Sequence, residues 1–233
     1  GDSLRTVRET ALPLAAACRE YGRERKGYLF SRRRGLEPGA TIRGMAEDQA
    51  EAMKKLGLWG ADVLGISQGG MVAQHLAAEA PGVVRRLVLV ATAGWANETV
   101  QETVGRWLLL AERGDHRRLM RDTAERSYSQ RYLRRYRLLL PLLGTIGRPR
   151  SYQRFLIQAR ACLGHDARGA LGRIGCPALV VGGGRDQVVG AEAAGVLAEH
   201  LSQSRLWIYP ELGHGLYEEA ADLPARVLAF LSQ

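Results

Sequence analysis

The chain has 233 residues, of which 46% are hydrophobic and 24% charged, enough apolar material for one globular domain with an elaboration. Its formal net charge of +9 lies in one segment: residues 101–173 hold sixteen arginines and six acidic residues, and the rest is nearly neutral. No apolar stretch approaches the roughly 18 residues that suggest a membrane span, and no basic-then-apolar leader opens the sequence.

Hydrophobic periodicity predicts alternating helices and strands along the chain. In chain order the predicted elements are a helix over 6–21, a strand over 27–30, a helix over 41–56, a strand over 61–66, a helix over 68–80, a strand over 84–90, a mainly helical stretch over 95–172, a strand over 178–181, a helix over 191–201, a strand over 206–209 and a helix over 220–231. This alternation predicts an α/β fold with a mostly parallel sheet flanked by helices on both faces.

The basic segment over 101–173 also carries aromatic side chains. They are Trp107, Tyr128, Tyr132, Tyr136, Tyr152 and Phe155. Basic and aromatic residues together are one signature of nucleic-acid binding. Amphipathic helices with solvated arginines and aromatic core faces give the same composition, and the flanking segments are typical of an enzyme core. We therefore expect no nucleic-acid partner.

One predicted strand, ADVLGI, runs into the motif GISQGG at 65–70, and a helix runs out of it. G-x-S-x-G is a weak pattern alone, but a strand-to-helix turn is the context in which it forms a nucleophile elbow. Gly65 and Gly69 are expected to let neighbouring backbone approach the turn closely. Ser67 then lies at a helix start, where the backbone N–H of Gln68 is the expected oxyanion donor. The alternative is a glycine-rich turn with a capping serine.

A nucleophilic serine needs a base, and the base needs an orienting acid. His214 is the strongest candidate base because it follows the strand LWIY directly, at the strand end where open α/β sheets build their sites. The other four histidines are weaker: His75 inside a helix, His165 in a loop, and His116 and His200 among polar residues expected to be exposed.

The candidate acid is Asp186, which follows the strand ALVV and a run of glycines. It is therefore expected at the same sheet edge as His214. The chain order Ser67, Asp186, His214 is the order found in α/β-hydrolases and differs from those of two other serine-protease classes.

Four stretches together resemble the α/β-hydrolase superfamily: ADVLGISQGGMVAQHLA, PGVVRRLVLVATAG, IGCPALVVGGGRDQVV and YPELGHGLYEE. The resemblance covers nearly the whole chain, loosely in the middle, and is specific for the fold rather than for a substrate. It implies a hydrolase core over 1–94 and 173–233 and an inserted helical cap over 95–172 that roofs the site.

By this resemblance Ser67 is the nucleophile, His214 the general base and acid, and Asp186 the residue that orients the imidazole. The implied reaction is hydrolysis of a small-molecule carboxylic ester through an acyl-enzyme, with Trp95 and Trp107 as candidate pocket residues or as plain core packing. Lactonase, thioesterase and C–C bond hydrolase activities use the same triad, and a non-catalytic binding or scaffold module is the alternative from another class.

The sequence departs from the superfamily after its fourth strand, where an Asp-x-Arg-Gly-x-Gly pattern is usual. Here residues 31–38 read SRRRGLEP, so Arg34 and Gly35 fit but Arg32 takes the Asp position. This departure bears on the subfamily more than on catalysis.

The strand over 27–30 would be the family's fourth, which leaves its first three strands without counterparts. One of them is the central third strand, which separates the fourth from the fifth. Unpaired backbone on either side would cost several kcal/mol if buried. We therefore expect about three strands' worth of chain to be missing, as an N-terminal segment or a companion fragment.

The opening GDSL matches the signature of a family of serine esterases, in which Ser3 would be the nucleophile. That family places its histidine three residues after an Asp near the C-terminus, and no such Asp-x-x-His occurs here. We interpret GDSL as coincidence. By the α/β-hydrolase resemblance, Gly1 and Asp2 fit the end of the loop that supplies a second oxyanion N–H, before a helix capped by Ser3 or Thr6.

The three cysteines, Cys18, Cys162 and Cys176, are odd in number and widely spaced. They predict neither a disulfide framework nor a metal site. We expect a reduced, cytoplasmic setting with no metal and no cofactor; because residue 1 is Gly and not Met, a removed leader is the open alternative to this setting.

Overall fold

The computed structural model describes residues 19–23, 25–135 and 148–233. Its described strands form one parallel sheet in the order β1-β2-β3-β4. The strands are β1 (Ala61–Ile66), β2 (Val84–Val90), β3 (Ala178–Gly183) and β4 (Ser204–Tyr209). Most of the helix expected over 6–21, with its capping residues Ser3 and Thr6, lies outside the described residues; its last three positions, 19–21, form a turn instead of a helix.

Helices connect the strands and cover the sheet, as parallel crossovers require. They are α1 (Ile42–Lys55), α2 (Gln68–Glu79), α3 (Glu98–Glu112), α4 (His116–Ser127), α5 (Gln130–Arg135), α6 (Gln153–Leu163), α7 (Arg168–Leu171), α8 (Ala193–Glu199), α9 (Leu216–Glu219) and α10 (Leu223–Leu231). The predicted α/β class is confirmed. No described helix combines the length and the apolar character needed to cross a membrane.

Helix α1 illustrates how local sequence sets these boundaries. Thr41 is extended, and its side chain accepts the Gly44 N–H at 3.0 Å, which satisfies one of the unpaired donors of the first turn. Lys54 and Lys55 occupy the last turn, where positive charge is favoured by the helix dipole. Ile42, one of the buried apolar residues, faces the core.

The centre of the sheet is buried on both faces. The residues of β3 are all buried, as are the last four residues of β2, whereas no residue of β4 is buried. Continuous apolar runs such as VVGG and LVLV are typical of parallel strands with helices on both sides. The carboxyl ends of all four strands therefore meet at one edge, where loops can bring side chains together.

The strand expected over 27–30 is wrong. This stretch is not part of a strand, and Tyr28 and Leu29 are 41% and 51% exposed. A strand exists through hydrogen bonds to a neighbour, and in the described part of the chain β1 pairs with β2 alone. Arg25 instead bonds the Asp62 carboxylate at 3.0 Å and holds the segment against the sheet through its side chain.

The stretch between β2 and β3 is helical as predicted, with α3 to α7 inside it. Two of its helices begin at side-chain caps: at the start of α3, Asn97 accepts the Val100 N–H at 2.9 Å, and at the start of α4, Asp115 accepts the Arg118 N–H at 3.1 Å. Several arginines here form ion pairs at the surface, among them Arg160 with Glu112 at 2.7 Å. The division into core and cap stays a prediction.

Candidate active site

Ser67 lies in the turn between β1 and α2, with φ 53° and ψ −122°. A positive φ is unusual for a residue with a Cβ and is sustained only by surrounding structure. That support is visible: the Ser67 N–H donates to Val90 O at 2.9 Å, and its carbonyl accepts from Gly70 N at 2.8 Å and Thr92 Oγ1 at 2.9 Å. These contacts hold the side chain above the sheet edge.

Two glycines make this turn possible. A Cβ on Gly65 would lie 2.6 Å from the carbonyl oxygen of Gly69, and one on Gly70 would lie 2.6 Å from the side chain of Thr92. Both distances are too short for any larger residue. The expectation for Gly69 is wrong: a Cβ there would meet nothing within 4 Å, so a larger residue would fit at this position. The second close approach belongs to Gly70.

Asp186 follows β3 and is 5% exposed. Its Oδ1 accepts the N–H groups of Val188 at 2.8 Å and Val189 at 3.0 Å. These two bonds fix the carboxylate plane and leave Oδ2 to accept from His214. Hydrogen bonds from backbone N–H groups also satisfy a buried carboxylate that would otherwise be costly.

His214 lies in the loop after β4 and is 6% exposed. Its Nδ1 lies 2.9 Å from Asp186 Oδ2, and its Nε2 lies 2.9 Å from Ser67 Oγ. Because an ionised carboxylate only accepts, Nδ1 carries the proton and donates to it. In the neutral ring Nε2 is then the lone-pair nitrogen facing the serine. The three predicted residues therefore form one hydrogen-bonded chain.

The histidine loop is held by the end of α4, which the sequence interpretation missed. The Gly215 N–H donates to the Ser127 carbonyl at 2.7 Å, and Tyr128 Oη donates to Glu218 at 2.9 Å. Ser129 N–H donates to Glu219 at 2.9 Å. Burial and the neighbouring Glu218 raise the pKa of Tyr128, so its phenol stays protonated and donates. These contacts join segments about 90 residues apart, and no local sequence pattern predicts contacts over such a separation.

The candidate oxyanion donor is the backbone N–H of Gln68. As the first residue of α2, it has no acceptor within its own helix. Its side chain reaches outward: Nε2 donates to Gln158 O at 3.1 Å and to Cys162 Sγ at 3.2 Å, and Oε1 accepts from Arg32 at 3.1 Å. The other oxyanion candidates, Gly1 and Asp2, lie outside the described residues.

The remaining histidines make their contacts with residues other than Ser67. His75 bonds Glu79 at 3.3 Å and touches the edge of the His165 ring. Burial, with His75 nearby, lowers the pKa of His165 to about 4, so its ring is neutral. The expected exposure of His116 is wrong: it is 3% exposed, because its ring packs inside and bonds Tyr152 Oη at 2.8 Å. His200 is exposed as expected.

The two candidate pocket tryptophans have other contacts. Trp95 packs edge-on against His200 and beneath the Arg168 guanidinium. Trp107 donates from Nε1 to Asp122 at 2.9 Å. None of these contacts includes Ser67, His214 or Asp186, so a pocket role for the two tryptophans stays a prediction.

The described residues hold no cluster of three or more histidine, cysteine or acidic side chains arranged to bind a metal ion. Cys162 and Cys176 are both free thiols. Burial raises the pKa of Cys162 to about 11, which makes it a poor nucleophile at neutral pH.

Curated relatives share sequence with most of this chain. Two are pimeloyl-acyl-carrier-protein methyl ester esterases: that of Neisseria meningitidis serogroup C is 32% identical over 70% of this chain and 65% of its own length. That of Chromobacterium violaceum is 33% identical over 66% of this chain and 63% of its own length. The chain thus spans less than two thirds of the length of these relatives.

Solved structures share the fold. An α/β hydrolase from a Medee basin deep-sea metagenome library has a TM-score of 0.80 at 22% identity, covering 95% of this chain and 85% of its own. The enol-lactonase of Burkholderia xenovorans has a TM-score of 0.75 at 21% identity, covering 85% and 76%. The sequence profile described as the alpha/beta hydrolase fold matches residues 24–221, and the chain belongs to that family.

Proposed function

We propose that this chain is a serine hydrolase that cleaves a carboxylic ester through an acyl-enzyme. The observation that carries the proposal is the chain of two 2.9 Å contacts from Asp186 through His214 to Ser67. Nucleophile, base and orienting acid in this arrangement are the parts of nucleophilic acyl transfer. Burying an ionised carboxylate carries a desolvation penalty even when the group is hydrogen-bonded. The buried Asp186 therefore favours a functional role over simple core packing.

In the proposed reaction Ser67 Oγ attacks the ester carbonyl carbon while His214 Nε2 takes its proton. The carbonyl electron pair moves to oxygen, and the Gln68 N–H, with a second loop N–H that we propose near Gly1 or Asp2, holds the oxyanion. The tetrahedral adduct expels the alcohol, which takes the proton from His214. Water then attacks the acyl-enzyme with His214 as base, and the acid leaves.

Ester chemistry is supported by the names of the curated relatives, which are esterases at 32% and 33% identity. A methyl ester on a long acyl chain is therefore our first substrate class. The surplus of arginines between 101 and 173 favours an ester whose remote part is negatively charged. Lactones are the second class, because a solved enol-lactonase shares the fold; thioesters and C–C bonds are further options.

The decisive experiment is Ser67→Ala, measured on p-nitrophenyl esters, thioesters and lactones. We expect kcat to fall by roughly 10⁶-fold on the preferred class, as when a triad nucleophile is removed. Thr92→Val is the matched control, because it changes a hydroxyl beside the turn that does not enter the reaction; we expect a loss of about tenfold or less. Near-wild-type turnover by Ser67→Ala would end the proposal.

Covalent labelling separates an enzyme from a binding or scaffold module that keeps the fold. A fluorophosphonate probe is expected to label Ser67 with a stoichiometry of about one, and His214→Asn to slow labelling strongly, since the probe needs an activated serine. A wild-type protein that binds esters but takes up no probe would favour the binding module.

We also propose a reduced, cytoplasmic setting, supported by the free thiols of Cys162 and Cys176. No nucleic-acid partner is part of the proposal, because arginines such as Arg106 and Arg126 both pair with Asp122 on the protein itself. A salt-dependent gel shift with DNA or RNA would contradict this point.

A further inference from the structure

Arg32, which occupies the Asp position of the family pattern, lies beside the elbow. Its Nη2 donates to Gln68 Oε1 at 3.1 Å. Gln68 directly follows the candidate nucleophile, and its backbone N–H is the candidate oxyanion donor. A side chain that departs from the family pattern thus contacts the residue on which oxyanion binding would depend.

Gln68 is held from three directions at once. Besides the Arg32 contact, its amide nitrogen donates to the carbonyl of Gln158 at 3.1 Å and to the sulfur of Cys162 at 3.2 Å. Both partners lie on α6 and are buried. A glutamine side-chain amide with its oxygen and nitrogen both engaged is fixed in its rotation.

The segment that carries Arg32 is itself tied to α6. Arg154 donates to the carbonyl of Arg33 at 3.0 Å and to that of Arg32 at 3.1 Å. The contacts therefore form a closed ring of hydrogen bonds. A side chain of α6 donates to the 32–33 backbone, Arg32 donates to Gln68, and Gln68 donates to residues of α6. We name this set of residues, Arg32, Gln68, Arg154, Gln158 and Cys162, the Gln68 ring.

We propose that Arg32 and the side chain of Gln68 are positioning residues for the oxyanion site. Through the Gln68 ring, the position of α6 helps to set the position of the Gln68 backbone N–H. The inference rests on the proposed function. Arg32 acts through Gln68: it fixes the amide, and its positive charge favours negative charge developing on the substrate oxygen nearby. A donor displaced by about 1 Å loses much of its effect on the transition state.

The test compares Arg32→Met with Arg33→Met. Arg33 is the neighbouring arginine, and it pairs with Asp48 instead of Gln68. We expect Arg32→Met to lower kcat about 5- to 50-fold with KM within about twofold, since a positioning role acts on the transition state. We expect Arg33→Met to leave kcat within about twofold. A raised KM with unchanged kcat would mean that Arg32 binds substrate instead, and would overturn the inference.

Gln68→Met provides the second arm, because it keeps the length of the side chain and removes all three hydrogen bonds. The double variant with Arg32→Met is expected to be no worse than Gln68→Met alone, since the arginine acts through the glutamine. Strictly multiplicative losses would overturn the coupling. Gln130→Met, on the exposed surface of α5, controls for the same chemical change.

Binding of a tetrahedral analogue distinguishes positioning from general damage. Affinity for a trifluoromethyl ketone is expected to fall in parallel with kcat/KM across the variants, whereas thermal unfolding shifts would not follow that order. If a methionine variant fails to fold, Arg32→Lys keeps the charge, loses the fixed fork and is expected to show a smaller loss of kcat. Wild-type kcat in every folded variant overturns the inference alone; activity retained by Ser67→Ala overturns the proposed function.

Discussion

The serine elbow and the histidine loop are held in place by different means. The elbow is built locally: Ser67 takes its positive φ because Gly65 and Gly70 leave room for the backbone and for Thr92. The histidine loop is built remotely, because its fixed points are Ser127 and the Tyr128–Glu218 contact. One half of the site is thus specified by a few adjacent residues and the other by a helix distant in sequence.

This difference determines how each half fails. Change within the elbow collides with backbone that cannot move, so small substitutions are expected to have large effects. Change around the histidine loop removes individual hydrogen bonds, each worth on the order of 1 kcal/mol. We therefore expect a steep response in the elbow and a graded one in the loop.

Among substitutions that keep Ser67, Asp186→Asn should give the largest effect on kcat, because it changes the histidine tautomer. If the amide oxygen keeps the Val188 and Val189 N–H groups, its nitrogen faces His214 Nδ1 and donates to it. The ring proton then moves to Nε2, which can no longer accept from Ser67. We expect kcat to fall about 10⁴-fold. Steady-state kinetics measures this loss, and an unchanged melting temperature shows that the site kept its shape.

Gly65→Ala sharpens the comparison within the elbow. Its Cβ would lie 2.6 Å from backbone, so the turn must shift, and we expect a loss of about 1–3 kcal/mol in stability and at least roughly 100-fold in kcat. Gly69→Ala, two residues beyond Ser67, is the control, because its Cβ meets nothing and alanine favours helix. Equal melting temperatures and rates for the two variants would contradict a sterically locked elbow.

Glu219→Gln tests the remote support of the histidine loop. It weakens the two contacts of Ser129, which donates to the carboxylate from its N–H at 2.9 Å and from its hydroxyl. We expect kcat to fall about 3- to 30-fold, as for loss of a hydrogen bond to a charged group. Tyr128→Phe removes the parallel contact to Glu218 and should act alike. A loss as steep as that of Gly65→Ala would erase the contrast between the halves.

Substitution of His165 should have the smallest effect on activity, because its influence is confined to the free energy of unfolding at acidic pH. Its folded-state pKa of about 4 lies below the ordinary 6.5, so protons bind the unfolded chain more tightly in this range. Its contribution is complete above pH 6.5 and declines as the pH falls toward 4, by at most about 1.4 kcal/mol per unit. Denaturant melts of His165→Gln should lose part of this slope, and His200→Gln, an exposed control, should not. Parallel wild-type and His165→Gln slopes would contradict the prediction.

The same contrast explains what the sequence could reveal. The strand before Ser67, the following helix and the loops bearing Asp186 and His214 were all predictable, because each depends on nearby residues and parallel strands share one edge. The choice of Gly69 over Gly70 failed because the clash partner, Thr92, lies just after the next strand, β2, and is remote in sequence from the turn. The strand over 27–30 failed because pairing depends on a neighbour, and an apolar run cannot supply one.

Remote contacts were beyond prediction for a related reason. The sequence singled out Arg32 as a departure from a pattern, but nothing in it pointed to Gln68 or to α6 as its partners. His116 was expected among solvated residues because its neighbours in sequence are polar, yet the helix turns its ring inward onto Tyr152. Hydrophobic periodicity predicts where helices form, but it does not predict which helices pack against each other.

The two 2.9 Å contacts of His214 also have a kinetic consequence. Ser67 and His214 are 147 positions apart along the chain, and the strands that carry them are at opposite edges of the described sheet. Contacts between residues so far apart in sequence are expected to form late in folding, since the strands and helices between them must first pack together. During refolding, reactivity toward a serine probe should therefore recover after helical signal, and the site itself becomes the most stringent reporter of a completed fold.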